Sequence, residues 1–290
     1  MGKILITGFA GFIGFHLTNK FMTHGYDVIG IDNFNNYYDV TLKKSREKLL
    51  KKKFLNKSKF YKIDLTNKSK LNNLFSNNKI DYVFHLAAQA GVRNSFINPD
   101  DYLNSNINGY NNVIELSRLY GVKRIFLAST SSIYGKKQGL LNENEKNLNP
   151  LQIYSLSKLL NEKVSDIYVK NFGLKICCMR FFTVYGPFGR PDMAIFNFTK
   201  KIINGEIIKL HNNGKMKRDF TYIDDTVNLI YNIFTNQKKL NNFEVINVGG
   251  GSPNTLKSML RIIESNLKIK AKTKLVNNSK GEAITTSADI

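Results

Sequence analysis

The sequence is poor in cysteine and proline, has no tryptophan, and lacks any long uncharged apolar run. Its two cysteines, Cys177 and Cys178, are adjacent in the strand-like run K-I-C-C-M-R-F-F, and neighbouring strand residues point to opposite faces. The pair therefore cannot readily form a disulfide, and we expect it to pack in the core of a protein from a reducing compartment. Because there is no C-x-x-C pair or His/Cys cluster, no metal site is predicted.

No stretch approaches the roughly 18 uncharged apolar residues that a membrane-spanning helix needs. Only Met1 and Gly2 precede K-I-L-I-T, which has the pattern of a first strand, so we expect no signal peptide and no export. These features predict a cytoplasmic protein that does not enter a membrane.

Acidic residues are also scarce: 22 aspartates and glutamates stand against 43 lysines and arginines, for a net charge of +21. The densest basic run covers residues 43–62 and would bind phosphates in a salt-dependent manner if it were a nucleic-acid patch. Lysine and asparagine are enriched along the whole chain, however, so we favour a solvated amphipathic helix and expect no nucleic-acid partner. The positive charge still suits an anionic small-molecule substrate.

The 290 residues, of which 42% are hydrophobic, are enough for one large domain or two smaller ones with real cores. Apolar strand-like runs alternate with segments of helical spacing. The strand-like runs lie at 3–7, 27–32, 59–64, 81–87, 124–129 and 175–181, and the main helical segments lie at 11–25, 99–120 and 151–172. This alternation predicts an α/β fold with a doubly wound parallel sheet that has helices on both faces.

After Phe182 the pattern changes to a loop rich in glycine and proline, a helix at 195–204 and a hairpin. We expect the strand-like runs at 220–223 and 244–248 to rejoin the first sheet. The chain is accordingly divided into two domains: a larger one of residues 1–182 plus 219–250, and a smaller C-terminal substrate-binding domain of residues 183–218 plus 251–290. Because the sequence ends at S-A-D-I without a helix to close the last unit, we expect a fragment.

The first strand-like run leads into T-G-F-A-G-F-I-G, in which Gly8, Gly11 and Gly14 are spaced G-x-x-G-x-x-G. Glycines allow a tight turn, a close approach of a pyrophosphate and close packing of the next helix, whose N-terminus supplies free N–H groups. Asp32, at the end of the second strand, can accept hydrogen bonds from an adenosine ribose diol and would repel a 2′-phosphate. The larger domain is therefore predicted to be a Rossmann-type domain that binds NAD rather than NADP.

A second pattern, Y-S-L-S-K at 154–158, places Tyr154 and Lys158 four residues apart and thus on one face of a helix. A free tyrosine has a pKa of about 10 and is a poor base at neutral pH. A lysine ammonium and an oxidised nicotinamide ring would stabilise the phenolate, and the lysine can also hold the nicotinamide ribose. We predict that Tyr154 is the catalytic base and that Lys158 assists it.

These motifs together resemble the extended short-chain dehydrogenase/reductase family, in particular its sugar-nucleotide epimerase branch. The resemblance covers the whole chain. It includes H-L-A-A-Q at 85–89, S-N-I-N-G at 105–109, R-F-F-T-V-Y-G-P at 180–187 and K-R-D-F-T-Y-I-D-D at 217–225. Within that branch, I-D-N-F-N-N-Y-Y-D-V at 31–40, A-Q-A-G-V-R at 88–93 and G-R-P-D-M-A at 189–194 are similar to segments of UDP-glucuronate 4-epimerases.

The resemblance implies roles for further residues. Those implied to contact or support NAD are Phe12, Ile13, Asn33, Asp64, Leu65, Leu86, Ala87, Ala88, Gln89 and Asn106. Arg190 and Arg218 are implied to bind the UDP diphosphate, and His211 stands where relatives usually place an aromatic ring against the uracil. His85 is expected to pack at a strand end. The family also implies a homodimer in which the helices at 99–120 and 151–172 pair.

Thr130, Ser131 and Ser132 end the fifth strand-like run in T-S-S-I-Y-G. In related enzymes that dehydrate or decarboxylate their 4-keto intermediates, the motif resembles T-D-E-V-Y-G or T-S-E-V-Y-G and supplies an acid for proton transfer. Without that acid, the expected reaction is oxidation at C4, rotation of the keto-sugar and return of the hydride to its other face.

A 4-keto glucuronate is a β-keto acid, which loses carbon dioxide when its C5–C6 bond aligns with the ketone. We predict that Ser131, Ser132 and Thr183 hold the carboxylate out of this alignment, with help from Arg93. Thr130 would contact the C4 oxygen beside the catalytic tyrosine. The alternative is that the three consecutive hydroxyls only cap a turn.

We thus predict an NAD-dependent enzyme that converts UDP-glucuronate into UDP-galacturonate. Two enzymatic alternatives are a 4-epimerase for UDP-glucose or UDP-N-acetylglucosamine, and a UDP-glucuronate decarboxylase. A redox sensor or nucleic-acid-binding regulator on the same fold is a third, but such proteins can lose the Tyr/Lys pair, which this chain retains.

Overall fold

The described residues, 2–57, 59–137, 139–276 and 283–290 of a computed structural model, form strands and helices in alternation. The strands are β1 (Lys3–Thr7), β2 (Asp27–Asp32), β3 (Lys59–Lys62), β4 (Tyr82–His85), β5 (Arg124–Thr130), β6 (Ile176–Phe181), β7 (Thr183–Tyr185), β8 (Ile207–His211), β9 (Lys217–Tyr222), β10 (Phe243–Val248), β11 (Pro253–Thr255) and β12 (Lys272–Val276). The α-helices are α1 (Phe12–Thr23), α2 (Val40–Phe54), α3 (Lys68–Ser76), α4 (Pro99–Tyr102), α5 (Gly109–Leu119), α6 (Ile153–Phe172), α7 (Ala194–Ile203), α8 (Ile223–Thr235) and α9 (Leu256–Leu267). Within these described segments, no helix combines the length and the apolarity that crossing a membrane requires.

Seven strands form one sheet in the order β10-β6-β5-β4-β1-β2-β3. All neighbouring pairs in it are parallel, so each strand is followed by a crossover that packs on one of the two faces. The strand order changes direction between β1 and β4, and ligands of doubly wound sheets bind beyond the carboxyl ends of the strands at such a switch point. The predicted α/β fold with a Rossmann-type, doubly wound parallel sheet is confirmed.

Two apolar cores lie on opposite faces of this sheet. Cys177 belongs to the core shared with α1 and α8, and Cys178 belongs to the core shared with α3 and α5. Burial raises the pKa of Cys177 to about 12 and that of Cys178 well above its ordinary value, so both thiols stay protonated. Both are free and buried, which confirms the predicted packing role of this adjacent pair.

The strands after Phe182 differ from the prediction in two places. β10 joins the seven-stranded sheet beside β6, as expected. β9 does not: it pairs with β7 and β11 in a separate three-stranded sheet, so the expected return of residues 220–223 to the first sheet is wrong. The predicted hairpin is also wrong, because β8 pairs in parallel with the distant β12.

A buried carboxylate explains the position of β9. Asp219 is fully buried and accepts hydrogen bonds from the backbone N–H groups of Gly250, Gly251 and Ala288, at 2.8, 2.9 and 3.0 Å. A buried carboxylate needs such donors, and here they come from the segments that follow β10. These bonds tie β9 to the loop that follows β10 and to Ala288 near the end of the described residues.

A third apolar cluster lies among α7, β8 and α9. It consists of Phe198, Ile202, Ile208, Leu210, Met259 and Leu260. It joins residues that precede β9 to residues that follow β11. We keep the two-domain division, with residues 183–218 plus 251–290 as the smaller unit, as a proposal that this separate core supports.

Candidate active site

One large cavity, with a volume of about 930 Å³, opens at the carboxyl ends of the central strands. Residues from both the seven-stranded sheet and the third apolar cluster line it. All but one of the predicted site residues lie in its wall: Gly8, Gly11, Phe12, Ile13, Gly14, Asp32, Asn33, Asp64, Leu65, Leu86, Ala87, Ala88, Gln89, Arg93, Thr130, Ser131, Ser132, Tyr154, Lys158, Thr183, Arg190, His211 and Arg218. Motifs that are far apart in the sequence therefore converge on a single site.

The exception is Asn106, which supports the cavity from behind. It is fully buried in a π-helix, Leu103–Asn108, that joins α4 to α5. Its side-chain oxygen accepts the N–H of Gln89 at 2.8 Å, and its amide nitrogen donates to the Gln89 carbonyl and to the Ser157 hydroxyl at 3.1 and 3.0 Å. Asn106 thus acts on the cavity through the Gln89 loop, which it fixes to α6.

The glycine turn after β1 leaves no room for side chains. A Cβ at Gly14 would lie 2.1 Å from the carbonyl oxygen of Gly8, and one at Gly8 would lie 2.8 Å from the backbone nitrogen of Ala87. Gly8 also has a φ of +75°, a conformation that favours glycine. The N-cap of α1 is Gly11, which has no side chain to accept a bond from the first N–H groups. A helix N-terminus of this kind favours a phosphate.

Asp32 lies beside this turn at the end of β2 and is only 8% exposed. One of its carboxylate oxygens accepts the N–H of Phe34 at 2.8 Å. Burial raises the pKa of Asp32, against the lowering effects of the Lys43 charge and of hydrogen bonds from the backbone of Phe34 and Ala10. The glycine turn and this carboxylate together fit the pyrophosphate and the adenosine ribose of NAD.

The spacing of Tyr154 and Lys158 brings both to the end of β5, as predicted. The Lys158 ammonium donates to the carbonyl of Ala128 at 2.9 Å. The Tyr154 phenol shares a hydrogen bond with the hydroxyl of Thr130, two residues further along the strand. The two side chains therefore leave α6 on one face and reach neighbouring positions of one strand end.

A buried ion pair between α6 and β6 fixes the helix that carries Tyr154 and Lys158. Arg180, in β6, donates its Nε and Nη2 to the two carboxylate oxygens of Glu162 at 3.0 and 2.8 Å, and both side chains are 4% exposed. Ser129, opposite Arg180 in the sheet, donates to Glu162 at 2.5 Å. Sequence reasoning gave Glu162 no role. The signal for it was its position, four residues after Lys158 on the same helix face.

Burial dominates the electrostatics of the Tyr/Lys pair. It raises the pKa of the Tyr154 phenol, which the charge of Arg190 and the hydrogen bond with Thr130 lower in part. It lowers the pKa of the Lys158 ammonium to about 8, although Cys178 and Glu162 oppose that shift. Arg190 is thus a positive charge that acts on Tyr154 and that the sequence analysis did not anticipate. The predicted effect of Lys158 together with an oxidised nicotinamide stays a prediction.

The hydroxyls of T-S-S-I-Y-G have two roles at once. Thr130 is the N-cap of the short helix Ser131–Tyr134 and accepts the N–H of Ser132 at 3.2 Å, so the capping alternative is correct for this residue. Ser131 and Ser132 are half-buried and line the cavity together with Thr183 of β7. Capping therefore does not remove these hydroxyls from the site.

The residues assigned to UDP lie around the part of the cavity that is formed by elements from β7 onward: they are Arg190, His211 and Arg218. Arg218 donates to the carbonyl of Ala283 at 3.0 Å. Arg93, which was predicted to help hold the sugar carboxylate, is exposed in the one-turn helix Arg93–Phe96 and also lines the cavity. The buried Nδ1 of His211 has no hydrogen-bond partner in the described part of the chain. Because such a group is rare in native proteins, a ligand is a reasonable source of its partner.

His85 is a packing residue, as expected, and not a base. It is fully buried and its Nδ1 lies 3.0 Å from the Thr7 hydroxyl. Burial lowers the pKa of His85 well below its ordinary value, and the charge of Lys158 lowers it further. The imidazole is therefore neutral, a weak base, and it does not line the cavity.

The basic run at 43–62 is not wholly solvated. Lys43 is 5% exposed and Arg46 is fully buried, so the interpretation of a solvated helix is wrong for these two residues of α2. Lys43 donates to the backbone and side-chain oxygens of Asn35 at 2.9 and 2.6 Å and lines the cavity. Tyr37 and Asp192 line it too, and were missed although both lie in the motifs at 31–40 and 189–194.

Lys158→Met tests the burial of the lysine ammonium. Its folded pKa of about 8 lies below the unfolded value of about 10.4, so between these values the unfolded chain binds more protons. The free energy of unfolding of the parent should therefore rise with pH relative to that of the variant, by up to about 1.4 kcal/mol per pH unit. Urea unfolding of both proteins across this pH window measures the difference, and a difference that does not vary with pH would contradict the burial of a titrating lysine.

Comparisons with known proteins agree with this geometry. A model of the "NAD dependent epimerase/dehydratase family" matches residues 4–249. The UDP-glucuronate 4-epimerase of Thermodesulfobacterium geofontis is 44% identical over 291 residues, which cover 100% of this chain and 88% of that protein. The UDP-glucuronic acid 4-epimerase of Bacillus cereus, solved with UDP-glucuronic acid and NAD, has a TM-score of 0.93 at 34% identity and covers 99% of this chain and 90% of its own. The UDP-glucose 4-epimerase of Thermotoga maritima, solved with UDP-glucose, has a TM-score of 0.86 at 29% identity, over 99% and 89% of the two chains. The chain therefore belongs to the NAD-dependent epimerase/dehydratase family, the extended short-chain dehydrogenase/reductases.

Proposed function

We propose that this chain is an NAD-dependent UDP-glucuronate 4-epimerase, which interconverts UDP-glucuronate and UDP-galacturonate. The observation that carries the proposal is the strand end beside Tyr154 and Lys158, where three hydroxyl residues and no acid face the cavity. The similar protein of T. geofontis is a UDP-glucuronate 4-epimerase, and that of B. cereus was solved with UDP-glucuronic acid and NAD. These two relatives support the same substrate and cofactor here.

The cavity residues fit NAD at the end near β1 and β2. The glycine turn and the N-terminus of α1 hold the pyrophosphate, Asp32 the adenosine ribose, and Asp64 and Leu65 flank the adenine. Lys158 holds the nicotinamide ribose. When bound, NAD supplies an acceptor that takes a hydride from C4 of the sugar and returns it.

Tyr154 transfers the proton of the C4 hydroxyl. Thr130 orients its phenol, and the charge of Arg190 favours the phenolate that the reaction needs. After the keto-sugar has turned its other face towards NAD, the proton goes back from Tyr154 to the same C4 oxygen. Tyr154, which acted as the base, therefore also acts as the acid. The overall conversion is redox-neutral and needs no second acid, in agreement with the T-S-S sequence.

The small hydroxyls protect the intermediate from decarboxylation. Ser131, Ser132 and Thr183 can all donate hydrogen bonds to the carboxylate from one wall of the cavity. A carboxylate held in this way keeps the C5–C6 bond out of line with the C4 ketone. The hydride is then returned before carbon dioxide is lost.

The main test is incubation with UDP-glucuronate, followed by separation of UDP-galacturonate from UDP-pentose products. Tyr154→Phe removes only the phenol oxygen, so folding and NAD binding should survive while epimerisation falls roughly 10²–10⁴-fold. The matched control is Tyr120→Phe, whose hydroxyl bonds Asn72 outside the cavity and should not affect turnover. Near-native turnover of Tyr154→Phe would overturn the assigned base, and no UDP-galacturonate from the parent would overturn the function.

The double variant Ser131→Ala/Ser132→Ala, and separately Thr183→Ala, should change the product as well as the rate. One lost hydrogen bond to a charged group is worth about 1.5–3 kcal/mol, enough to shift the partition by about tenfold or more. Carbon dioxide loss would compete with hydride return, giving a UDP-4-keto-pentose by mass spectrometry and an increase in NADH absorbance. UDP-glucose, which has no carboxylate, is the control substrate. Variants that are slower but form no decarboxylated product would refute the carboxylate role.

We also propose that the enzyme is a homodimer. The outer face of α6 exposes Leu156, Leu160 and Ile167, which are 54%, 40% and 54% exposed and lie within one narrow sector of the helix. Leu103 and Leu119 add exposed apolar surface on the segment that leads through α5. A second copy of the chain would cover both helices, as the family resemblance implies.

Light scattering at micromolar concentration should give twice the mass of one chain. Leu160→Glu combined with Ile167→Glu places charges in the centre of the proposed interface and should reduce that mass to one chain without unfolding the protein. A parent chain that is monomeric would contradict the proposal. So would a double variant that remains dimeric.

We infer a cytoplasmic location from the thiols. Cys177 and Cys178 are free, adjacent and on opposite faces of the sheet. Proteins whose cysteines all remain thiols are typical of reducing compartments.

A further inference from the structure

Arg190, which we assign to an anionic group of the substrate, is already bound by an acid of its own loop. Its Nε and Nη2 donate to the two carboxylate oxygens of Asp192 at 3.0 and 2.5 Å. The Tyr37 hydroxyl donates to the same carboxylate at 3.0 Å, and the guanidinium lies 5.7 Å from the centre of the Tyr37 ring. These three residues, the Arg190 cluster, stand in the wall of the cavity.

The cluster joins two of the motifs that mark the resemblance to UDP-glucuronate 4-epimerases, and the reaction as proposed gives no role to Tyr37 or Asp192. Tyr37 belongs to the segment at 31–40 on the cofactor side, and Asp192 to the segment at 189–194. Tyr37 packs so tightly that a Cβ at Gly91 would lie 2.1 Å from its hydroxyl oxygen. The position of Tyr37 is thus fixed by a third motif, at 88–93.

The backbone around Arg190 is anchored on both sides. Arg46 donates to the carbonyl of Phe188 at 2.6 Å, and to that of Ala10 in the glycine turn at 2.8 Å. On the other side, the Arg190 carbonyl accepts the N–H of Met193 at 3.2 Å, just before α7 begins. The side chains of the cluster, which are partly exposed, can therefore change partners while the loop stays in place.

We propose that Asp192 is an internal competitor for Arg190, and that the nucleotide sugar binds by exchanging one of its own anionic groups for the Asp192 carboxylate. The exchange rests on the proposed function. A guanidinium has five N–H donors, and Asp192 occupies the edge formed by Nε and Nη2. A substrate carboxylate or phosphate that binds this same edge in the bidentate manner must replace Asp192.

Asp192 is charged at neutral pH. Partial burial raises the pKa of its carboxyl, but the hydrogen bonds and the charge of Arg190 outweigh this, and the pKa lies below its ordinary value. An anion at this place opposes the entry of a second anion and helps to expel it. Because substrate and product carry the same diphosphate and the same carboxylate, the competitor weakens the binding of both and shortens the time that each stays bound.

Asp192→Asn tests the exchange, because it removes the charge but keeps the size and an acceptor for Tyr37. UDP binding, measured by calorimetry on the NAD-loaded enzyme, should tighten about two- to fivefold, the usual strength of a partly exposed ion pair. In turnover of UDP-glucuronate, KM and kcat should fall together, since products leave more slowly. A residue with a merely structural role would raise KM instead.

Three further variants complete the design. Asp192→Glu retains the charge and should bind UDP as the parent does. Tyr37→Phe should tighten binding slightly, and should add nothing in the Asp192→Asn background. Asp27→Asn is the matched control: it removes the same charge from an acid beside Lys3 and Lys59 at the amino end of β2, away from the carboxyl strand ends that form the cavity, and should not alter binding.

The ligands distinguish the anionic groups. Tighter binding of UDP identifies the diphosphate as the group that replaces Asp192 on Arg190. Tighter binding of UDP-glucuronate alone, measured with the Tyr154→Phe protein, identifies the sugar carboxylate as that group. Both results support the exchange. Unchanged or weaker binding of both ligands to Asp192→Asn overturns it. If the parent binds neither ligand, the proposed function fails and the exchange with it.

Discussion

The buried ion pair between Glu162 and Arg180 is the constraint on which the site depends. A buried pair stabilises a fold only when its remaining hydrogen-bonding groups are satisfied, because both charges lose their hydration. Here Ser129 donates to Glu162, and Arg180 donates to the Tyr134 hydroxyl at 2.9 Å. Helix α6 is thereby fixed against β5 and β6 at one register. That register sets where Tyr154 and Lys158 meet the strand end.

The rest of the cavity is built outward from this junction. The glycine turn and Asp32 form the proposed cofactor end, and the loop after β7 brings Arg190 to the cavity from the other side. Arg46, buried in α2, connects the two ends because it holds carbonyls of both the glycine turn and the Arg190 loop. Positively charged residues of the chain thus lie inside the site as well as on the surface, which suits a nucleotide sugar that carries both a diphosphate and a carboxylate.

Local patterns predicted most of the catalytic end. The glycine spacing, the Tyr/Lys spacing and the acid at the end of β2 each depend on residues a few positions apart, and short-range geometry determines them. Which strands pair with each other, when they are distant in the sequence, was harder to predict from local patterns. Residues 220–223 and 244–248 have similar strand-like composition, yet only the latter entered the first sheet, while β9 pairs with β7 and with the later strand β11.

The sequence by itself therefore determined the fold class, the cofactor turn and the chemistry of the Tyr154 helix, since these follow from periodicity and from residue types at fixed spacing. Only the tertiary structure decided which charges face inward. Lys43 and Arg46 belong to a basic run that, by composition alone, is predicted to be exposed to solvent, yet both are buried. Nothing in the sequence around Asp192 indicates that its side chain contacts Arg190 and Tyr37. Burial and ion pairing depend on what lies across the cavity, and no local pattern records that.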